Sequence, residues 1–144
     1  MSLEQNKSLV LRYVEQVLNE GKFEAFKDLL SPNYRRHITP AAAPLTAEEQ
    51  KKRLSGIRAA VPDIHLTVED VIAEGDRVAF RMTLQGTHQG TFQGIAPTNK
   101  KVTVSALDVV AIENGRISEH WGGPDMLAIL QQLGAVVSAG PGKK

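Results

Sequence analysis

Two carboxylates and one histidine in the second half of the chain are the residues that could support proton transfer: Asp108, His120 and Asp125. Asp108 shares one face of a predicted strand with apolar residues, namely Val102, Val104, Ala106, Val110 and Ile112. Burial among apolar groups raises the pKa of a carboxyl group toward the range that a general acid or base needs. Asp108 is therefore a candidate for that role. The alternatives are a bulge that turns it to solvent, or a neutralising partner such as Arg81 or Arg116.

Asp125 and His120 flank a break between a predicted strand and a predicted helix, in the segment HWGGPDM. An Asp directly before an apolar helix is a preferred N-cap residue, because its carboxylate accepts hydrogen bonds from free N–H groups. Such bonds favour the charged form and oppose the work of a base near neutral pH. His120 could pair with a carboxylate, although a solvent-exposed histidine is the commoner case on a strand. Strict alternation puts His120 on the opposite face from Ile117 and Trp121, unless a bulge intervenes.

The elements that must position these residues can be read from the spacing of apolar residues. This spacing is helical in the first part of the chain and alternates as in strands afterwards, which favours an α+β fold. The predicted helices cover 4–19, 23–30, a segment from the Thr46–Glu49 capping box to Pro62, and 125–133. The predicted antiparallel strands include residues 64–68, 78–84, 102–112 and 116–122. Residues 33–45 contain two prolines and no period, so we predict a loop there. One domain is expected over 1–137, with a flexible tail at 138–144.

Composition excludes several classes of function. Seventeen Lys and Arg residues against sixteen Asp and Glu leave a formal charge of +1, so neither nucleic acid nor a membrane is an expected partner. The absence of cysteine excludes disulfides and thiolate catalysis. No tight His spacing predicts a metal, and no glycine-rich phosphate loop predicts a nucleotide cofactor. The first residues resemble neither a signal peptide nor a membrane span, and a cytoplasmic location is expected.

Two long stretches carry a resemblance to a known family. GTHQGTFQGIAPTNKKV contains a Gly-x-His-x-Gly segment and a Pro-Thr turn, and ENGRISEHWGGPDMLAILQQLGA contains a Gly-Arg-Ile-x-Glu-x-Trp strand before an Asp-initiated helix. Asn33-Tyr34, His37 and Pro40 fit the loop after the second helix. With these motifs the chain resembles the SnoaL-like polyketide cyclases and ester cyclases, of the nuclear-transport-factor-2-like superfamily.

The resemblance implies a cone-shaped fold in which a curved antiparallel sheet wraps around the N-terminal helices and encloses an apolar pocket. It also implies an intramolecular aldol ring closure on a polyketide by acid/base groups, without a cofactor. The family carries an Asp at the position of Asp125, which favours Asp125 narrowly over Asp108 as the base. Gly122 stands where many members have an Asp. Asn99 replaces the usual glycine of the Pro-Thr-Gly turn, and Asn tolerates the positive φ of such a turn.

Candidate walls of the implied pocket come from several predicted elements. They are Tyr13 on the first helix, His37 in the proline-rich loop, Phe80, Met82, Leu84 and His88 along one strand face, and Trp121 on the last strand. Most of these side chains are apolar or aromatic. We therefore predict that the ligand is a hydrophobic small molecule with an uncharged ring system.

Three further expectations complete the prediction. The same fold hosts other cofactor-free lyases, isomerases and hydrolases, so these reactions remain alternatives to cyclisation. A non-catalytic ligand-binding or dimerisation domain is a second alternative, from a different class. Apolar residues on both faces of the 102–112 strand predict a homodimer.

Overall fold

Helical segments occupy the start of the chain in the computed structural model, which describes residues 2–136. The helices are α1 (Leu3–Arg12) continuing as a π-helix (Tyr13–Asn19), a 3₁₀ turn (Phe23–Ala25), α2 (Phe26–Leu29), α3 (Ala47–Ala60) and α4 (Met126–Gln132). The predicted capping box of α3 is present, with Thr46 accepting from the Glu49 N–H and the Glu49 side chain accepting from Thr46. The tail predicted at 138–144 lies outside the described residues. Within 2–136, no helix is both long and apolar enough to cross a membrane.

Five strands in the described part of the chain form one curved sheet. They are β1 (Leu30–His37), β2 (His65–Glu74), β3 (Arg77–Thr87), β4 (Lys101–Glu113) and β5 (Arg116–Pro124). Their order is β1-β5-β4-β3-β2, and β2 to β5 form the predicted antiparallel meander. The predicted α+β class, with a sheet curved over helices, is confirmed.

The prediction of a loop over the whole of 33–45 was wrong, because residues 30–37 form an edge strand. β1 runs parallel to β5, and this pairing places Arg36 opposite His120. The inward positions of β1 include Tyr34 and Arg36, which are 1% and 2% exposed. An arginine on the buried face conceals the apolar alternation by which a strand is recognised. Pairing with a distant strand, and not local propensity, forms β1.

The core lies between the helices and the concave face of the sheet. Its fully buried members include Val10, Val17, Leu29, Val78 and Val110. Burial alternates along β4, where residues at even positions from 102 to 110 point inward. Asp108 therefore belongs to the inward face, as its spacing predicted.

A bulge on β5 changes the predicted alternation. Ala111 is opposite Glu119 and Ile112 is opposite Ile117, so Ser118 is the extra residue. Both Ile117 and His120 consequently point into the core, and the prediction that they lie on opposite faces was wrong. The bulge is what brings His120 to the same side as Asp108.

Candidate active site

Asp108 and His120 form a buried pair on the concave face of the sheet. The Nε2 atom of His120 lies 2.5 Å from Oδ2 of Asp108, and the two residues are 3% and 4% exposed. They stand on neighbouring antiparallel strands, Asp108 opposite Gly122 and His120 opposite Val110. Neither predicted alternative for Asp108 is found, since its carboxylate does not face solvent and Arg81 pairs with Asp70 on the outer side.

Hydrogen bonding defines how the proton of His120 is placed. With a proton on Nε2, the ring donates a hydrogen bond to Oδ2 of Asp108. The other ring nitrogen, Nδ1, lies 3.4 Å from the Tyr34 hydroxyl, which can donate to it. Burial lowers the pKa of His120 from its usual value, although the bond to Asp108 opposes this effect. The histidine is therefore held neutral, with both nitrogens engaged.

The second oxygen of Asp108 has no hydrogen-bond partner among the described residues. Asp108 and His120 both line a cavity between α3 and the sheet. Most of the other lining side chains are apolar: Val17, Leu18, Leu54, Ile57, Ile64, Leu66, Met82, Leu84, Ala106 and Pro124. Asp108 therefore combines a place in the lining of an apolar cavity with a buried carboxylate oxygen that lacks a partner, and an unpaired buried acceptor favours a proton or a hydrogen bond from a ligand.

Polar side chains from β1 and α3 complete the cavity wall. Arg36 donates to the carbonyl oxygens of Gly122 at 2.6 Å and His37 at 3.3 Å. Gln50 donates to the Tyr13 hydroxyl at 3.3 Å and accepts from Arg53 at 3.3 Å. The cavity is therefore apolar over most of its surface and cationic on one side.

A second cavity adjoins the first, and Arg53, Ile57, Ile64, Leu84 and Pro124 line both. His88 faces this second cavity and is 1% exposed. Its Nδ1 accepts from the Thr98 backbone N–H at 3.2 Å. A neutral His88 must then carry its proton on Nε2, and that atom has no partner among the described residues. Asn99 has a φ of 58°, so the predicted left-handed turn after Thr98 is present.

Of the predicted wall residues, the four that were assigned to one strand face lie at or next to the cavities. Met82 and Leu84 line the first cavity, and His88 lines the second. Phe80 is buried behind His120, with ring centroids 6.2 Å apart. Tyr13 is buried too, with its ring at the edge of His120 at 5.9 Å, so it supports the pair without lining the cavity.

The remaining predicted residues lie elsewhere. Asp125 is exposed and caps α4, where its carboxylate accepts from the Ala128 N–H at 3.0 Å. Trp121 faces the outer side of the sheet, stacked on His37 with centroids 5.2 Å apart. His37 also lies 3.2 Å from Glu119. The structure does not bring these three predicted residues to the lining of either cavity.

Sequence reasoning missed Tyr34, Arg36, Gln50 and Arg53. The first two lie on β1, which was predicted as a loop. A signal was present for the other two, because Gln50 and Arg53 share the helical face of Leu54 and Ile57. Polar residues on the apolar face of an amphipathic helix indicate that the cavity covered by the helix has a polar part of its wall.

A buried acid/base pair facing a cavity, inside helices and a curved sheet, defines a class of small enzymes and binding proteins. Comparison with known proteins identifies the family within it: the profile of the SnoaL-like polyketide cyclases matches residues 8–133, and the chain belongs to that family. The chain is 26% identical over 118 residues to nogalonic acid methyl ester cyclase of Streptomyces nogalater, a match covering 81% of this chain and 88% of that protein.

Solved structures show the same fold. AclR of Streptomyces galilaeus, a candidate hydroxylase, superimposes with a TM-score of 0.85 and 29% identity, over 96% of this chain and 87% of its own. IdmH of Streptomyces antibioticus, a candidate polyketide cyclase, gives a TM-score of 0.81 and 30% identity, over 90% of this chain and 99% of its own.

Proposed function

We propose that the protein closes a ring in a polyketide by an intramolecular aldol reaction, with Asp108 as the general base. The observation that carries this proposal is the buried Asp108 in the cavity lining, whose Oδ1 has no partner among the described residues while Oδ2 is held by His120. Aldol chemistry needs a base that removes a proton from carbon in surroundings that exclude water. Family membership and the likeness to nogalonic acid methyl ester cyclase support the same assignment.

The proposed reaction conserves every atom of the substrate. Oδ1 of Asp108 removes a proton from a carbon between two carbonyl groups, and the resulting enolate attacks a third carbonyl of the same chain to form the new C–C bond. The alkoxide that forms takes the proton back from Asp108. His120 orients the carboxylate throughout and stabilises its charged form through Nε2–H. A cavity that holds a flexible chain folded for attack contributes the rest of the acceleration.

His88 is proposed as a substrate-binding residue in the second cavity. Its Nε2–H is a buried donor without a partner in the described residues, so a ligand carbonyl is its natural acceptor. Met82 and Leu84 provide apolar contact for the rings, and Phe80 and Tyr13 hold His120 from behind.

The proposal also includes a homodimer formed through the outer face of the sheet. Leu107 on β4 and Ile72 on β2 are 61% and 66% exposed on that face, and Val109 lies beside them half-buried. Burying these side chains against a second copy of the chain would remove them from water. The cytoplasmic location stays a prediction.

Asp108→Asn and Asp125→Asn form a matched pair that tests the proposed base. Each keeps the size of the side chain, and Asn at 125 retains a good N-cap. We expect Asp108→Asn to fold and to lose turnover by about 100-fold or more, the usual worth of a positioned acid/base group. Asp125→Asn should keep nearly full turnover, because that carboxylate is exposed at the end of α4.

The assay uses nogalonic acid methyl ester, for which the relative is named, and its free acid, and it follows the conversion of each to an isomer of equal mass by chromatography and mass spectrometry. Conversion lost in Asp125→Asn and kept in Asp108→Asn would contradict the assignment of the base. A product of altered mass would contradict ring closure and identify a lyase or a hydrolase instead. No conversion of this ester or its free acid by the wild-type protein would contradict the cyclase proposal.

A further inference from the structure

Two arginine side chains on the cavity wall have no carboxylate partner among the described residues. Arg36 is 2% exposed, and its Nε–H has no acceptor, although its two terminal nitrogens donate to backbone carbonyls. Arg53 is half-buried and donates to Gln50. Neither guanidinium takes part in any of the ion pairs found within residues 2–136.

The charges that line this cavity do not balance. Arg36, Arg53 and Arg58 supply three positive charges, whereas Asp108 is the one carboxylate among the lining residues and is held by His120. Burial and the neighbouring Arg36 lower the pKa of Arg53. A buried cation is costly to the fold unless an anion compensates it. The ligand is the remaining source of that anion.

We propose that the substrate carries a carboxylate, which binds between Arg36 and Arg53 while its rings fill the apolar part of the cavities. The two guanidinium groups come from β1 and α3. Arg36 retains an Nε–H without an acceptor, and Arg53 makes one side-chain hydrogen bond, so both keep donors for the oxygens of a carboxylate. This inference deepens the proposed function, since it concerns the cavity of the Asp108–His120 pair. It replaces the uncharged ligand predicted from sequence with an amphipathic one.

The test compares two flat aromatic ligands that differ in one group. Anthraquinone-2-carboxylate and anthraquinone-2-carboxamide have the same rings and nearly the same size, and their affinities are measured by isothermal titration calorimetry. We expect the wild-type protein to bind the carboxylate about tenfold or more tightly, the worth of charge-assisted hydrogen bonds. Equal affinities for the two ligands would overturn the proposal.

Arg53→Gln is the variant that tests the site, because this side chain is half-buried and makes one side-chain hydrogen bond. It should reduce the preference for the carboxylate to within about threefold. Arg81→Gln is the matched control, since it removes one positive charge from the outer face of the sheet, where Arg81 pairs with Asp70. The control should keep the wild-type preference. A preference that persists in Arg53→Gln would also overturn the proposal.

The alternative to a substrate carboxylate is that the two arginines stabilise the enolate formed during the reaction. In that case the carboxylate and the carboxamide bind alike, and Arg53→Gln lowers kcat with KM unchanged, a result that overturns the carboxylate proposal. Binding is measured without turnover, so the result does not depend on ring closure. Asp108→Asn should bind the carboxylate at least as tightly as the wild type, because it removes a negative charge from the same cavity.

Discussion

Asp108 and Asp125 show how the same side chain acquires different properties from its surroundings. Asp125 is exposed and accepts a hydrogen bond from the Ala128 N–H, which makes it the N-cap of α4. Asp108 is buried, held on one oxygen and free on the other. Of the two, Asp108 has both a free oxygen and a cavity in front of it. For this reason the proposed chemistry depends on Asp108.

The buried imidazole of His120 should make stability depend on pH. Burial lowers the pKa of His120 in the folded protein below its ordinary value of 6.5, so the unfolded chain binds a proton more readily. The free energy of unfolding is therefore expected to fall as the pH drops below about 6.5, by up to about 2 kcal/mol at pH 5.

Urea unfolding at about pH 7 and pH 5 measures this dependence. His120→Gln removes the titrating group while keeping a donor for Asp108, and it should lose less stability between the two pH values. His65→Gln, at an exposed position on β2, is the control for loss of an imidazole and should follow the wild type. An equal loss in His120→Gln and in the wild type would show that another group causes the dependence.

The close backbone contact between the paired strands β4 and β5 requires a glycine at position 122. Gly122 has a φ of 96°, and a Cβ there would lie 2.1 Å from the Leu107 carbonyl oxygen and 2.9 Å from the Cα of Asp108. Gly122→Ala must therefore strain the backbone and separate the strands beside the active carboxylate. We expect it to destabilise the fold by about 2 kcal/mol or more.

Gly56→Ala is the matched control for this substitution, because Gly56 lies in α3 and a Cβ there meets nothing within 4 Å. Alanine is a better helix former than glycine, so Gly56→Ala should raise the free energy of unfolding by about 0.5–1 kcal/mol. Midpoints of urea unfolding report both changes. If Gly122→Ala were as stable as the wild type, the close contact at β4 would not constrain this position.

Elements with a local signal could be predicted from the sequence, and elements formed by distant pairing could not. The Thr46–Glu49 capping box, the Asn114-Gly115 turn and the alternation of β4 are encoded within a few residues each, and each was found where predicted. β1 depends on β5 for its hydrogen bonds and was therefore missed.

The residues of the candidate site also divide into those with a local sequence signal and those whose position depends on the pairing of strands. Asp108 was recognised as a polar interruption of an apolar face, and this signal is local to β4. The inward position of His120 depends on the bulge at Ser118, which nothing in the spacing reveals. Arg36 reaches the cavity through the parallel pairing of β1, so its role could not be predicted without the topology.

The outer face of the sheet exposes two large apolar side chains, Leu107 and Ile72, to solvent in this single chain. A dimer through that face should sediment at about twice the 15.7 kDa of one chain at micromolar concentration. Leu107→Glu should shift the equilibrium toward the monomer, because it places a charge at the centre of the proposed contact. Leu127→Glu is the control, since Leu127 is 59% exposed on α4 and away from the outer face. A wild-type protein that sediments only as a monomer would contradict the dimer.

The parallel pairing of β1 with β5 has a consequence for the order of folding. β4 and β5 are joined by the two-residue turn at Asn114-Gly115, so the hairpin that carries Asp108 and His120 closes a short loop. Arg36 reaches His120 across 84 residues of chain, and closing so long a loop is slow. We therefore expect Asp108 and His120 to meet early in folding and Arg36 to reach the cavity late. A newly made chain would then form the proposed base before the proposed carboxylate site.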